Sequence, residues 1–378
     1  MITVLQLCEH FGGREASLHG VARGFQWWIP AFDTERFRVL LCSRKGRDRA
    51  AEQMEAGGHA PLYLNAGKFS PLNLVRLVRI LREEKVDIIH AHGYGACTWG
   101  RLAGLFMKKP VIVHERCNTL KVPLYQRPVE WFLGRFTRYA FAVSESSRQF
   151  CIHGRYMAPE VVHVLYNGIL MEDVPTVSEE WIQSERAKQG VTPETAVIGV
   201  VGRLESHKGH IDAFKALKDL RSAIPNVQMW VVGDGAYGDT LHQWVAEHAL
   251  GEHVKFLGFR RDARQVIQCF DIQLFPSHME GTPNTLYEAL AVGNAVVAST
   301  ADGQGEILTD GETALMFEPG DTARLCEQLG RVLSDSDLRA QLKHASHALS
   351  AHFDGRKTIE TMQDMYESIM PEEDNHAH

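Results

Sequence analysis

Short apolar runs alternate with amphipathic stretches along the first 170 residues. "ITVLQLC", "FRVLLCS", "APLYLN", "DIIHAH", "PVIVHER", "RYAFAVS" and "VVHVLYNG" each predict a strand. Their unbroken Val/Ile/Leu content is that of strands covered on both faces, as in a parallel sheet. Between two of them, "LNLVRLVRILREEK" places Leu and Val at helical spacing with Arg between, which predicts an amphipathic helix. The alternation then restarts with "AVIGVVGRL", "QMWVVGDG", "VKFLGF", "IQLFPS" and "AVVAS". A polar, Pro-containing segment from about residue 172 to 194 separates the two halves and predicts one helix of its own. Two successive βαβα patterns argue for an α/β protein of two doubly wound domains facing across a cleft, with ligands at the carboxyl ends of the strands.

A chain of 378 residues is too long for one ordinary core, so its length agrees with two domains. Charge divides the halves further. Residues 1–170 carry 23 Lys+Arg against 14 Asp+Glu, and the remainder carries 17 against 33. A basic first half and an acidic second half suit different partners, or simply differently solvated surfaces. The net charge of −7 and the lack of a recognised motif disfavour nucleic acid. The seven cysteines are scattered, with neither a C-x-x-C pair nor a metal-ligand spacing, which predicts free thiols in a reducing cytosol. "MITVLQLC" lacks the charged leader of a signal peptide, and no apolar run approaches the ~20 residues of a membrane span.

Candidate chemistry falls after the strands. Gly12-Gly13-Arg14-Glu15 follows the first strand and is expected to open a helix, where backbone and helix start would favour an anion, although a plain turn reads the same way. His90 and His92 end one strand and His114 the next. Such histidines can hydrogen-bond sugar hydroxyls or move a proton, and no metal is expected there. In "GRLESHKGH", Arg203 and Lys208 bring two cations to a helix start, as a diphosphate requires. The loops "VVGDGAYG" and "LGFRRD" suit the flanks of a nucleobase.

The densest stretch is "PSHMEGTPNTLYEAL". Pro283 stands where a helix can begin, so Asn284 and Thr285 present first-turn N–H groups to a phosphate, with Gly281 in the loop before them. Glu280 lies ahead of that anion site and can accept from sugar hydroxyls. Glu288 lies one turn inside and can accept from a ribose diol. A sugar, a diphosphate and a ribose in series make a nucleotide-sugar. Two capping or solvated acids, or a glycosidase pair roughly 5–9.5 Å apart, are the competing readings.

"EGTPNTLYE" matches E-G-x-P-x-x-x-x-E, "GRLESHKG" matches G-R-x-x-x-x-K-G and "GGRE" matches G-G-x-E, with "DIIHAH" and "VLYNG" in order between them. From Gly12 to about Pro319 the sequence thus resembles the family 4 retaining glycosyltransferases of the GT-B fold. The resemblance implies two Rossmann-like domains, an acceptor-side domain over 1–172 and a donor domain over 190–354, with 355–378 crossing back as a helix. It implies that Arg203, Lys208 and backbone from Gly13 bind the donor diphosphate, that Glu280 holds sugar hydroxyls, that Glu288 holds the ribose and that His114 lies near the reacting bond. It also implies catalysis with no cofactor and no bound metal. Two positions depart from the family: "DGQGEI" stands where G-G-x-P-E is usual, and "HER" replaces a more usual His-Asp or His-Gly pair.

The expected reaction is retaining hexosyl transfer from a nucleotide diphosphate donor to an acceptor hydroxyl, in cell-surface polysaccharide or glycolipid assembly. A nucleotide-sugar epimerase of the same fold and a non-catalytic nucleotide-sugar-binding protein are the alternatives. "FQWWIPAF", Lys108-Lys109 and "RPVEWFLGRFTRYAF" mix cations with aromatics. They suit an anionic membrane surface or a lipid-linked glycan, and equally helix packing with solvated arginines. The expected location is the cytoplasm, with a peripheral position at the inner face of the membrane as a variant.

Overall fold

The apolar runs become strands because helices cover both faces of the sheets they enter. A computed structural model describes residues 1–12, 18–116 and 122–370. The chain divides into two compact units: Met1–Tyr166 with the segment from Gly355 onward, and Asn167–Asp354.

The first unit runs β1 (Ile2–Cys8), α1 (Gly20–Trp28), β2 (Phe37–Ser43), α2 (Ala51–Ala56), β3 (Leu62–Tyr63), α3 (Leu72–Glu83), β4 (Ile88–His92), α4 (Tyr94–Met107), β5 (Val111–Glu115), α5 (Arg127–Gly134), β6 (Tyr139–Ala142), α6 (Glu145–His153) and β7 (Val162–Val164). Its seven strands pair in parallel in the order β3-β2-β1-β4-β5-β6-β7. Leu5, Leu7, Ile89, Ala91 and Val113 pack against Leu77 and Leu81 of α3 and Ala96 of α4 in one core.

Two expectations change here. The first helix opens at Gly20 rather than directly after the Gly12-Gly13-Arg14-Glu15 turn, because the His19 side chain caps it by accepting from the Ala22 N–H. Gly12 instead forms an antiparallel bridge with Leu18, and Gly13 lies outside the described residues. The runs "APLYLN" and "VVHVLYNG" yield only two and three strand residues, since each forms an outer edge of the sheet with a single partner.

The second unit runs α7 (Glu179–Lys188), β8 (Ala196–Val201), α8 (His210–Leu220), β9 (Val227–Val232), α9 (Gly238–Glu247), β10 (Val254–Gly258), α10 (Ala263–Val266), β11 (Ile272–Phe275), α11 (Asn284–Ala291), β12 (Ala295–Ser299), α12 (Gly303–Ile307), β13 (Leu315–Phe317), α13 (Thr322–Ser334) and α14 (Ser336–Ser350). Its six strands pair in parallel in the order β10-β9-β8-β11-β12-β13. The order reverses between β1 and β4 in the first sheet and between β8 and β11 in the second. Such switch points open a crevice at the strands' carboxyl ends.

The last helix, α15 (Gly355–Ser368), belongs to the first unit. Its Tyr366 is fully buried against Phe32 and Phe37, and its Gln363 accepts from the Asp33 N–H at 2.9 Å. Six cysteines among the described residues are free and five of them are buried; Cys117 lies outside the described residues. No helix among the described residues is long and apolar enough to cross a membrane.

Candidate functional site

In the second unit the crevice forms where β8 and β11 part. The loop after β8 carries Arg203 and Lys208, and the loop after β11 carries Glu280. Gly209 lets the two loops meet: its φ is +71°, and a Cβ there would stand 1.8 Å from the Pro276 carbonyl oxygen. The His278 N–H donates to the His207 carbonyl at 2.8 Å, and His278 Nε2 meets Asp212 at 2.6 Å, which ties the loops again. Gly202, Lys208, His210, Ser277, Glu280 and Thr285 line the small cavity between them.

Lys208 Nζ donates to the Glu280 carboxylate, and both side chains are mostly buried. Glu280 is fixed from other directions too. Its N–H donates to Asp302 at 3.1 Å, its carbonyl accepts from the Gly303 N–H at 3.3 Å, and Ser277 Oγ reaches its carboxylate at 3.5 Å. α11 begins directly after Pro283, which gives no side-chain cap, and its first-turn N–H groups, at Asn284 and Thr285, lie outside the helix's own i→i−4 ladder. A lysine, a helix N-terminus and a carboxylate therefore stand together at the sheet's switch point. That combination suits an anion and, beside it, a hydroxyl donor.

Arg203 is drawn elsewhere: it is exposed and pairs with Glu205, which also meets His207 Nδ1 at 3.4 Å. Glu288 is buried, its Oε1 accepting from Arg264 Nε at 3.0 Å while its Oε2 has no partner. The "VVGDG" loop folds back on residue 204, whose N–H donates to the Asp234 carbonyl at 2.9 Å. "LGFRRD" is pinned by Arg260, which holds Asp262 and Glu185, each at 2.7 Å. In "DGQGEI", a Cβ on Gly303 would meet the Gly281 carbonyl oxygen at 1.7 Å, so the two loops are in backbone contact. Gln304 beside it is wholly buried with both amide atoms unpartnered.

His210, Ser277 and Asp302 also belong to this site, although no motif names them. His210 opens α8 and is buried; burial, with Lys208 adding to it, pushes its pKa down to about 4, so its imidazole is neutral. Its place immediately after the Lys-Gly pair was the available signal. The roles of Ser277 and Asp302 depend on loop contacts that spacing does not show.

In the first unit, the corresponding anion position at the start of α4 is filled from within. Glu9 accepts from the Ala96 N–H at 2.6 Å and is held by Arg44 at 2.7 Å. The Gly12 N–H is likewise given to Asp48, at 3.2 Å. His90, His92 and His114 converge, with ligand atoms within 4.8 Å of one another, and all three are buried. Burial, with Arg116 adding to it, lowers their pKa values well below the usual imidazole range and keeps them neutral. The geometry could hold a cation. However, the facing nitrogens are engaged with one another, with Gln6 and Tyr366, and with the Arg116 guanidinium, whose charge opposes a metal.

Two family profiles match the chain: "Glycosyltransferase Family 4" over residues 19–172 and "Glycosyl transferases group 1" over residues 182–348. The UDP-Gal:alpha-D-GlcNAc-diphosphoundecaprenol alpha-1,3-galactosyltransferase of Escherichia coli is 24% identical over 363 residues, covering 92% of this chain and 94% of that one. The capsular polysaccharide biosynthesis glycosyltransferase CapM of Staphylococcus aureus is 22% identical over 352 residues, covering 88% and 90%. Among solved structures, HepE of Anabaena in complex with UDP-glucose superposes with a TM-score of 0.82 at 22% identity, covering 98% of this chain and 100% of that one. The fold is thus GT-B, and the chain belongs to the group 1, family 4 glycosyltransferases.

Proposed function

We propose that this glycosyltransferase moves a hexose from a uridine diphosphate donor to a hydroxyl of a lipid-linked glycan, with retention and without a bound metal. The observation that carries this reading is the junction of Lys208, Glu280 and the uncapped start of α11 at the switch point between β8 and β11. Lys208 and the Asn284–Thr285 N–H groups take the diphosphate, and Arg203 joins them on leaving Glu205. Glu280 accepts from the sugar hydroxyls. Glu288, oriented by Arg264, accepts from the ribose. Gly281 lies in the loop just before the Asn284–Thr285 N–H groups, and His114 acts on the transferred sugar. Nearby cations and helix N–H groups supply the charge stabilisation that a divalent ion supplies elsewhere. The acceptor oxygen attacks the anomeric carbon on the face the diphosphate leaves. The sugar–phosphate bond breaks as the new glycosidic bond forms, and the acceptor proton passes to the departing phosphate oxygen. The UDP-linked donor and lipid-linked acceptor follow the chemistry named for the Escherichia coli relative.

Released nucleoside diphosphate, measured for UDP-, GDP- and ADP-hexoses in excess chelator, tests this reading. One donor is expected to be hydrolysed slowly without metal. Strict dependence on added divalent cation would overturn the metal-free mechanism.

A peripheral membrane position is part of the same proposal. α5 turns its one acid inward and its rings outward: Glu130 is fully buried while Trp131, Phe132 and the following Phe136 are exposed. Between residues 122 and 144 the only acid is that buried Glu130, whereas Arg127, Arg135 and Arg138 lie exposed among the rings. Arg135 stacks on Trp131 at 3.7 Å. Rings that enter the headgroup layer and arginines that meet its phosphates fit an anionic bilayer. Trp131→Ser/Phe132→Ser/Phe136→Ser is expected to lower binding to phosphatidylglycerol vesicles at least ~10-fold, given the apolar area removed. Equal binding by wild type and variant would contradict it, as would a dimer of wild type that the variant abolishes.

A further inference from the structure

The histidine cluster of the first unit is a directional chain of hydrogen bonds with one open end. Arg116 Nε donates to His92 Nδ1 at 3.3 Å, and Arg116 NH2 lies 3.3 Å from His114 Nδ1. A guanidinium has donors only. Both Nδ1 atoms must therefore be bare acceptors in the neutral rings.

The rest follows from that one constraint. His92 carries its proton on Nε2 and donates it to Gln6 Oε1 at 2.7 Å, which fixes the Gln6 amide. Gln6 Nε2 then donates to Tyr366 Oη at 2.9 Å, and the Tyr366 hydroxyl donates to His90 Nδ1 at 2.6 Å. His90 carries its proton on Nε2 and gives it to His114 Nδ1 at 3.0 Å. Two paths, one direct and one through four side chains, arrive at the same nitrogen. Reversing either path would set two N–H groups against each other.

His114 is left with its proton on Nε2, which is buried and has no partner. An orphaned buried donor is costly and is kept where a ligand completes it. We propose that Arg116, His92, Gln6, Tyr366 and His90 are positioning residues that hold His114 in the Nε2–H tautomer, so that it serves as a neutral hydrogen-bond donor to an oxygen of the sugar substrate and not as a general base. This rests on the assignment of His114 to sugar contact made above. Burial lowers the pKa of all three imidazoles, which agrees with a neutral chain.

Long-range 1H–15N correlation on the histidine-labelled whole protein reads the tautomer directly, with His114 assigned through His114→Asn. His114 is expected as Nε2–H, with Nδ1 bare, from neutral pH upward. A proton on Nδ1, or an even mixture, would overturn the chain. Arg116→Met is expected to mix the His92 and His114 tautomers. Tyr366→Phe is expected to lower kcat about 10-fold, the scale of one hydrogen bond, with donor KM little changed. Unaltered tautomers in Arg116→Met would overturn the role of Arg116, whatever the activity. The expected tautomers without any sugar transfer would leave the chain standing and count against the sugar assignment alone.

Discussion

Lys208→Met is expected to lower kcat/KM for the donor at least ~100-fold, the scale of losing one charge-stabilising contact to a leaving group. Two effects add. The diphosphate loses a cation at the start of α11, and Glu280 loses the partner that neutralises it. An unpaired carboxylate beside the phosphate site repels the ligand that the lysine attracted. Lys208→Met/Glu280→Gln should therefore recover part of the nucleotide affinity without recovering turnover, and the two changes should not be additive. Fold stability should change little, because Ser277, Asp302 and Gly303 still hold the Glu280 loop. Turnover within a few-fold of wild type in the single variant would remove Lys208 from the site.

The largest stability effect should come from the other unit. Glu130→Ala is expected to cost about 3–5 kcal/mol, the range for stranding a buried charge. Glu130 is fully buried and holds Arg101 at 2.7 Å and Arg155 at 3.4 Å, while Arg155 also holds Glu115 at 2.7 Å. Two arginines balance two glutamates out of water, so removing one acid leaves a net positive charge with no solvent to screen it. For a unit of this size the melting temperature should fall by roughly 10 °C. Glu130→Gln should lose less than Glu130→Ala, because it keeps the shape and two polar atoms. The exposed Glu83→Ala should stay within about 0.5 kcal/mol of wild type. A Glu130→Ala protein as stable as the Glu83→Ala control, by denaturant unfolding, would contradict this account of α5.

The same residues show what the sequence could and could not disclose. "AVIGVV" and "DIIHAH" are legible as strands because burial on both faces leaves unbroken apolar runs, and "PNTLYEAL" is legible as a helix start because Pro283 tolerates that position. The Lys208 and Glu280 loops are legible from their position after strands, whereas the contact between them is not. The α5 network was not legible. "RPVEWFLGRFTRYAF" reads as cations among aromatics, and only partners 29 and 25 residues away reveal that its one acid faces inward. Nor could the histidine chain be read, since it closes through Gln6 and Tyr366, which are 360 residues apart. The first helix begins later than the glycine turn suggests, because its cap comes from His19, several residues on.

Calorimetric titration of UDP into wild type and Lys208→Met, with chelator present, tests the central claim most directly. Tight binding to wild type and a loss of at least ~10-fold in the variant is the predicted result, given one charge-assisted contact removed. Equal affinity in both would mean that the diphosphate lies away from Lys208 and the start of α11, and the assigned donor site would be wrong.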